Sequence, residues 1–273
     1  MLKWGIQLLL PGMVSGFFLD SGYNSMFGTL FRFFLLLFIK VMVRIFYHFE
    51  IQWISPKPTS YRDQKVFLLL NHTSLFEPLF IGAFPVPLLW EISKRFAYPI
   101  AKKTLERPIA GFTFKMLSPI TLPLTKNRDK AWRDFMRVIS SGKYMIGFAP
   151  EGRMRRANGL DKDGKPMTML GGVVDILGHT RSGNVLFLYS GGLHHIQIPG
   201  EGAPKLFKKI HLALESKPIE EYIAGVKEKY GDDLRKGIPA ELEQRRDSYC
   251  PRVIEERKPI FIRFWIQVVN MWN

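Results

Sequence analysis

Between residues 66 and 230, apolar runs of strand length alternate with segments of helix length, and this alternation most narrows what the chain can fold into. Val66 to Leu70 is five apolar residues in a row, the pattern of a strand buried on both faces. Phe76 to Phe84 suits a short helix beside it. Leu105 to Leu117 suits a helix with Pro108 in its first turn, and Ile120 to Leu124 an extended piece. Asp129 to Ile139 is an amphipathic helix ended by Ser141-Gly142. Tyr144 to Phe148 is the next strand, Leu170 to Leu177 a helix, Val185 to Leu188 and Ile210 to Leu214 two strands, and 218 to 230 a helix. This order predicts an α/β fold with a mostly parallel central sheet flanked by helices. In such sheets ligands lie beyond the carboxyl ends of the strands. Asn71-His72 follows one strand and Pro150-Glu151-Gly152 another.

The first fifty residues have a different character. Trp4 to Leu19 carries no charge but is broken by Pro11, Gly12 and Gly16, and Phe27 to Phe49 is interrupted by Arg32, Lys40 and Arg44. Neither offers the roughly 20 continuous apolar residues of a spanning helix. On a helix the three cations fall toward one side, where they are expected to snorkel to headgroups while Phe and Leu enter the acyl region. The reading is an N-terminal helical hairpin seated in the membrane interface, with residues 1–54 forming the membrane-associated helices and 55–273 the α/β domain. A buried hairpin of a soluble protein is the alternative. The C-terminal IFIRFWIQVVNMWN is a second candidate membrane contact.

A net charge of +15 points to an anionic partner. The 22 Phe, 6 Trp and 11 Met are many for a nucleic-acid module, so a lipid surface or an acidic substrate is favoured and no nucleic acid is expected. The single Cys250 rules out an intramolecular disulfide, and no cysteine cluster is present for structural zinc.

Two constellations carry chemistry. His72 can take a proton from a hydroxyl if a carboxylate fixes its tautomer and balances the imidazolium, and Glu77 stands five positions on. That spacing is wrong for one helical face. It works with the histidine in a turn and the carboxylate in the first helical turn behind it, although alone the pair would serve equally as a helix cap. FAPEGRMRRANG, residues 148 to 159, is a sharp turn exposing Glu151 beside Arg153, Arg155 and Arg156. These arginines can grip a phosphate through forked hydrogen bonds, or form a solvated basic loop. Lys126 and Arg128 end an extended segment and can add to an anion site. GLDKDGKP at 159 to 166 fails as a P-loop because Pro166 takes the Ser/Thr place. Neither G-x-S-x-G nor H-E-x-x-H occurs. His194-His195 has no evident third ligand, so no metal is expected.

Taken together these residues resemble the glycerolipid acyltransferase superfamily, the family of 1-acylglycerol-3-phosphate acyltransferases. Asn71-His72 with Glu77 matches its N-H-x-x-x-x-D block. Lys102, Leu105, Pro108 and Gly111 match K-x-x-L-x-x-P-x-x-G, and Phe148, Pro150, Glu151 and Gly152 match F-P-E-G-T-R-S, all in order over residues 66 to about 190. Glu77 replaces the aspartate, Ala149 is inserted, Arg153-Met154-Arg155 replaces Thr-Arg-Ser, and VLFLYSGG lacks the proline of the family's last block.

The resemblance implies an O-acyltransferase of phospholipid biosynthesis on the cytoplasmic face of the inner membrane. His72 is then the general base and Glu77 its partner. Asn71, Lys126, Arg128, Glu151, Gly152, Arg153, Arg155 and Arg156 are the expected substrate-binding residues. The acyl donor is acyl-CoA or acyl carrier protein as a co-substrate, with no bound cofactor, and the acceptor is a lyso-lipid in the membrane. A different acceptor, such as a lyso-ornithine lipid or a glycolipid, a thioesterase or lipid hydrolase with water as acceptor, and a non-catalytic lipid-binding protein remain the alternatives.

Overall fold

The computed structural model describes residues 26–101, 105–106, 111, 116–124, 129–180, 182–198 and 203–251. The apolar run at 4–19, most of the 105–117 segment, Lys102, Pro108, Lys126, Arg128 and the C-terminal apolar stretch lie outside these residues. Helix α1 (Met26–Phe46) leads into strand β1 (His48–Trp53) and then β2 (Gln64–Leu70). A 3-10 helix (Glu77–Ala83), α2 (Val86–Arg95), β3 (Phe96–Ala101) and β4 (Ile120–Leu124) follow. The rest is α3 (Lys130–Ser140), β5 (Met145–Phe148), α4 (Gly172–His179), β6 (Asn184–Ser190), β7 (Lys209–Pro218), α5 (Ile219–Tyr230) and α6 (Leu234–Tyr249).

The strands form one seven-stranded sheet in the order β1-β7-β6-β2-β5-β3-β4, parallel throughout except where β7 runs antiparallel to β6. The α/β class and the mostly parallel sheet are as the alternation predicts. Sequence reading placed β2, β4, β5, β6 and β7 but not β1, α2, β3 or α6. β3 contains Pro99, which breaks a strand pattern in sequence. It is tolerated because β3 meets β5 only at Phe96 and Ala97, before the proline. β1 pairs with β7 along its whole length, so the sheet begins at His48.

β2 is central and buried on both faces. Phe67 and Leu69 face a core built with α1, the 3-10 helix and α2. Val66, Leu68 and Leu70 face a second core built with α3, α4, α5 and α6. Each such buried side chain contributes roughly 1.5–3 kcal/mol. That double burial explains why this strand reads as an unbroken apolar run. α3 starts at Asp129, whose side chain accepts from the Trp132 amide at 3.2 Å, a cap worth about 1 kcal/mol.

α1 lies along the first core with its cations inward, which corrects the snorkelling expectation. Arg32 is 1% exposed and its Nε donates to the Ser93 carbonyl at 2.8 Å, in the last turn of α2. Lys40 Nζ donates to the carbonyls of Gly82 (3.0 Å) and Phe84 (2.8 Å), and Arg44 Nε to that of Gly82 (2.9 Å). These cations satisfy the carbonyls that helix ends leave open and lie at the negative ends of the helix dipoles. Phe27, Leu30, Phe31, Phe34, Phe38 and Val41 face outward, recurring three or four residues apart as one apolar stripe. By length and composition α1 is the one helix among the described residues that can cross a membrane.

Gly82 marks how close this packing is. A Cβ there would meet Phe49 Cζ at 2.5 Å and Val43 Cγ1 at 2.9 Å. Gly82→Ala is therefore expected to destabilise the protein by about 1–3 kcal/mol, read as a lower thermal unfolding midpoint; an unchanged midpoint would mean that α1 is not seated here.

Candidate active site

The site forms at the carboxyl end of β2, between the loops that leave its two neighbours, β5 and β6. The chain turns sharply at Asn71, whose φ of 67° lies in the left-handed region that asparagine tolerates better than most residues. Its side-chain amide donates to the Ser190 carbonyl at 2.8 Å, at the end of β6. The turn brings His72 over the start of the 3-10 helix. His72 Nδ1 lies 2.6 Å from Glu77 Oε2. The other carboxylate oxygen accepts the amides of Thr73 (2.9 Å) and Ser74 (3.4 Å). One carboxylate thus caps the turn and fixes the ring, so the cap and the dyad are the same object. An ionised carboxylate only accepts, so Nδ1 carries the proton and Nε2 keeps its lone pair. Among the described residues nothing bonds Nε2, and the side chain is 18% exposed.

Burial disfavours the His72 imidazolium. The charge of Glu77, its hydrogen bond and the charge of Glu151 outweigh burial, and the pKa stands above the ordinary 6.5. Because the shift is upward, the pairing stabilises the fold most fully below pH 6.5. This contribution is lost as pH rises through the folded-state value.

Glu151 does a different job from the one its neighbours suggest. It is fully buried, and its oxygens accept the amides of Asn71 (3.3 Å) and His72 (2.8 Å). Arg246 of α6 approaches it at 3.5 Å and donates to the Met167 carbonyl at 3.1 Å. Burial pushes the Glu151 carboxyl up, against the amides and Arg246 that favour its charge. Both oxygens of this carboxylate are thus engaged with the His72 turn. Gly152 has φ 61°, and a side chain there would run into Leu170, so it shapes this loop.

The arginines divide. Arg153 is paired with the buried Asp161. The Arg155 amide donates to the His72 carbonyl at 2.7 Å, so its side chain starts beside the histidine. Arg156 is exposed, and among the described residues no side chain or carbonyl holds the guanidinium of Arg155 or Arg156. On the other side Leu193 donates to Thr73 Oγ1 (2.9 Å), and Ser74 Oγ to Gln197 Oε1 (2.9 Å). His194 and His195 each give Nε2 to a carbonyl, of Arg155 (2.8 Å) and Lys209 (2.6 Å). Among the described residues no cluster of three or more metal-ligating side chains forms. Burial pushes the Cys250 thiol up to about 12, so it stays protonated and a poor nucleophile.

No family model and no curated protein matches the sequence. Among solved structures it is similar to the 1-acyl-sn-glycerophosphate (LPA) acyltransferase PlsC from Thermotoga maritima. The TM-score is 0.51 at 18% identity, over 89% of this chain and 96% of that one. This chain has the PlsC fold. Sequence reasoning found the dyad and the arginine loop in that fold but missed Arg246, Thr73 and the 190–197 loop, because no spacing marks them. QRRDSYC around Arg246 reads as an ordinary charged helix end.

Removing Arg246 would strand a buried carboxylate. Arg246→Met is expected to cost about 3–5 kcal/mol in chemical unfolding, and adding Glu151→Gln should recover part of it. If the double variant is no better than the single one, Glu151 and Arg246 are not coupled.

Proposed function

We propose that the protein is an O-acyltransferase that moves a fatty acyl group from acyl-CoA or acyl carrier protein to the hydroxyl of a lyso-lipid such as 1-acylglycerol-3-phosphate. The observation that carries this reading is the His72–Glu77 pair, with Nε2 unbonded among the described residues, at the carboxyl end of a central parallel strand in a PlsC-like fold. The acceptor hydroxyl donates to Nε2. As its oxygen attacks the thioester carbonyl, the proton passes to the ring and Glu77 balances the imidazolium. The tetrahedral intermediate collapses, the C–S bond breaks, and the leaving thiolate takes the proton back. Ester and free thiol result, with no acyl-enzyme.

Among the described residues, Arg155 and Arg156 are cations that can take the acceptor's phosphate, and the Arg155 backbone is tied to His72 by its own amide. Glu151, Asn71 and Arg153 position the loops in place of the substrate. The outward apolar stripe of α1 rests in one leaflet with the domain against its other face. The basic surface suits an anionic lipid and either acidic donor.

In an assay with lysophosphatidate and both donors, His72→Ala is expected to lower kcat by about 10²–10⁴-fold, and retained turnover would remove its role as base. The base must be neutral, so the wild-type rate should rise with pH through a midpoint above 6.5. Glu77→Gln should lower the rate and move that midpoint down. Arg155→Gln should raise KM for lysophosphatidate while leaving the midpoint in place. Lipid binding without turnover on either donor would instead favour a non-catalytic binding protein.

A further inference from the structure

We propose that Lys40 and Arg44 of α1 are positioning residues for the His72–Glu77 pair, acting through the 3-10 helix whose last carbonyls they hold. The proposal rests on the acyltransferase reading above. Glu77 is the first residue of that helix, and Gly82 and Phe84 lie at its other end. At roughly 2 Å per residue, Glu77 is about 10 Å from the cations' grip on Gly82. A helix this short has few hydrogen bonds of its own, and its first turn has no N-cap side chain bonded to it. Its two ends are therefore fixed from outside. Glu77 binds one end to the Thr73 and Ser74 amides and to the ring. The ammonium and guanidinium of α1 hold the other through three hydrogen bonds to carbonyls.

The seat between them is tight. Phe80, Ile81, Ala83 and Phe84 are buried, and Gly82 has no room for a Cβ against Phe49 and Val43. The helix thus behaves as a short rod with the carboxylate at one tip and α1 at the other. Loss of the grip lets the rod shift along its axis, and a displacement of about 1 Å at a proton-transfer pair can cost 10²-fold. The same α1 carries the outward stripe, so the surface that meets lipid is joined through three hydrogen bonds to the element that bears the carboxylate. Cations meant for headgroups would lie on the outer face, where Phe34 and Phe38 are instead.

The test uses the full chain with Lys40→Met/Arg44→Met, Lys40→Arg and, as contrast, Phe34→Ser/Phe38→Ser. Three readouts are flotation with phosphatidylcholine–phosphatidylglycerol vesicles, steady-state kinetics on lysophosphatidate, and amide exchange at 79–84 against 66–70. The double cation variant is expected to float like wild type, to lose about tenfold or more in kcat with KM little changed, and to move its acidic limb to lower pH. Exchange should quicken at 79–84 and stay slow at 66–70, and Lys40→Arg, which keeps a cation at the same carbonyls, should retain most of the wild-type rate. The stripe variant should lose flotation yet keep kcat in detergent. Unchanged exchange and kcat in the cation variant would overturn the proposal, as would lost flotation with normal kcat in detergent. If the double variant does not fold, Lys40→Gln alone, which leaves Arg44 on Gly82, gives the same split. A wild type that transfers no acyl group would sink the proposed function, while exchange at 79–84 would still decide the clamp.

Discussion

Two backbone amides at the end of β2 point into a buried carboxylate, and the geometry of the site follows from that contact. Asn71 is held in the left-handed region, which costs energy unless the surroundings fix it. The Glu151 carboxylate beneath its amide and that of His72 fixes it, and Arg246 keeps a negative charge tolerable in a fully buried place. With the turn set, the ring can only project over the first turn of the 3-10 helix, where Glu77 closes the pair. The loops after β5 and β6 then lock around it, through the Arg155 amide on one side and Thr73 with Leu193 on the other. Three parallel strands thus end in one hydrogen-bonded knot with the histidine at its centre.

Much of this was legible in the sequence where the signal is local. Five apolar residues running into Asn-His mark a doubly buried strand and its exit, while the glutamate five positions on reads as a helix cap until the other blocks join it in order. The glutamate also explains itself: its longer side chain lets one oxygen cap two amides while the other reaches Nδ1. Where the signal is not local, the sequence says less. Glu151 before three arginines looks like part of a ligand site, and only tertiary structure shows its oxygens turned under the neighbouring turn. Arg246 lies 95 residues further on and has no pattern of its own.

The N-terminal helix failed for a related reason. Periodicity shows that Arg32, Lys40 and Arg44 share a side, but it cannot say whether that side meets water, headgroups or protein. The missing fact was a pair of helix ends, in α2 and the 3-10 helix, whose open carbonyls attract cations more locally than a headgroup can. Once the cations are inward, the aromatic stripe is outward by geometry. An apolar helix with charged residues at intervals can therefore present an apolar stripe outward while its charges are held by neighbouring helix ends.

The central claim is that the fold aims His72 so that, when the ring is neutral, its proton lies on Nδ1 against Glu77 and its lone pair on Nε2. Nitrogen NMR of ring-labelled protein across a pH titration tests it directly. The account predicts the Nδ1–H tautomer above the transition, a midpoint above the ordinary 6.5, and a fall toward that value in Glu77→Gln. An Nε2–H tautomer, or a midpoint at or below 6.5 that ignores Glu77→Gln, would contradict it.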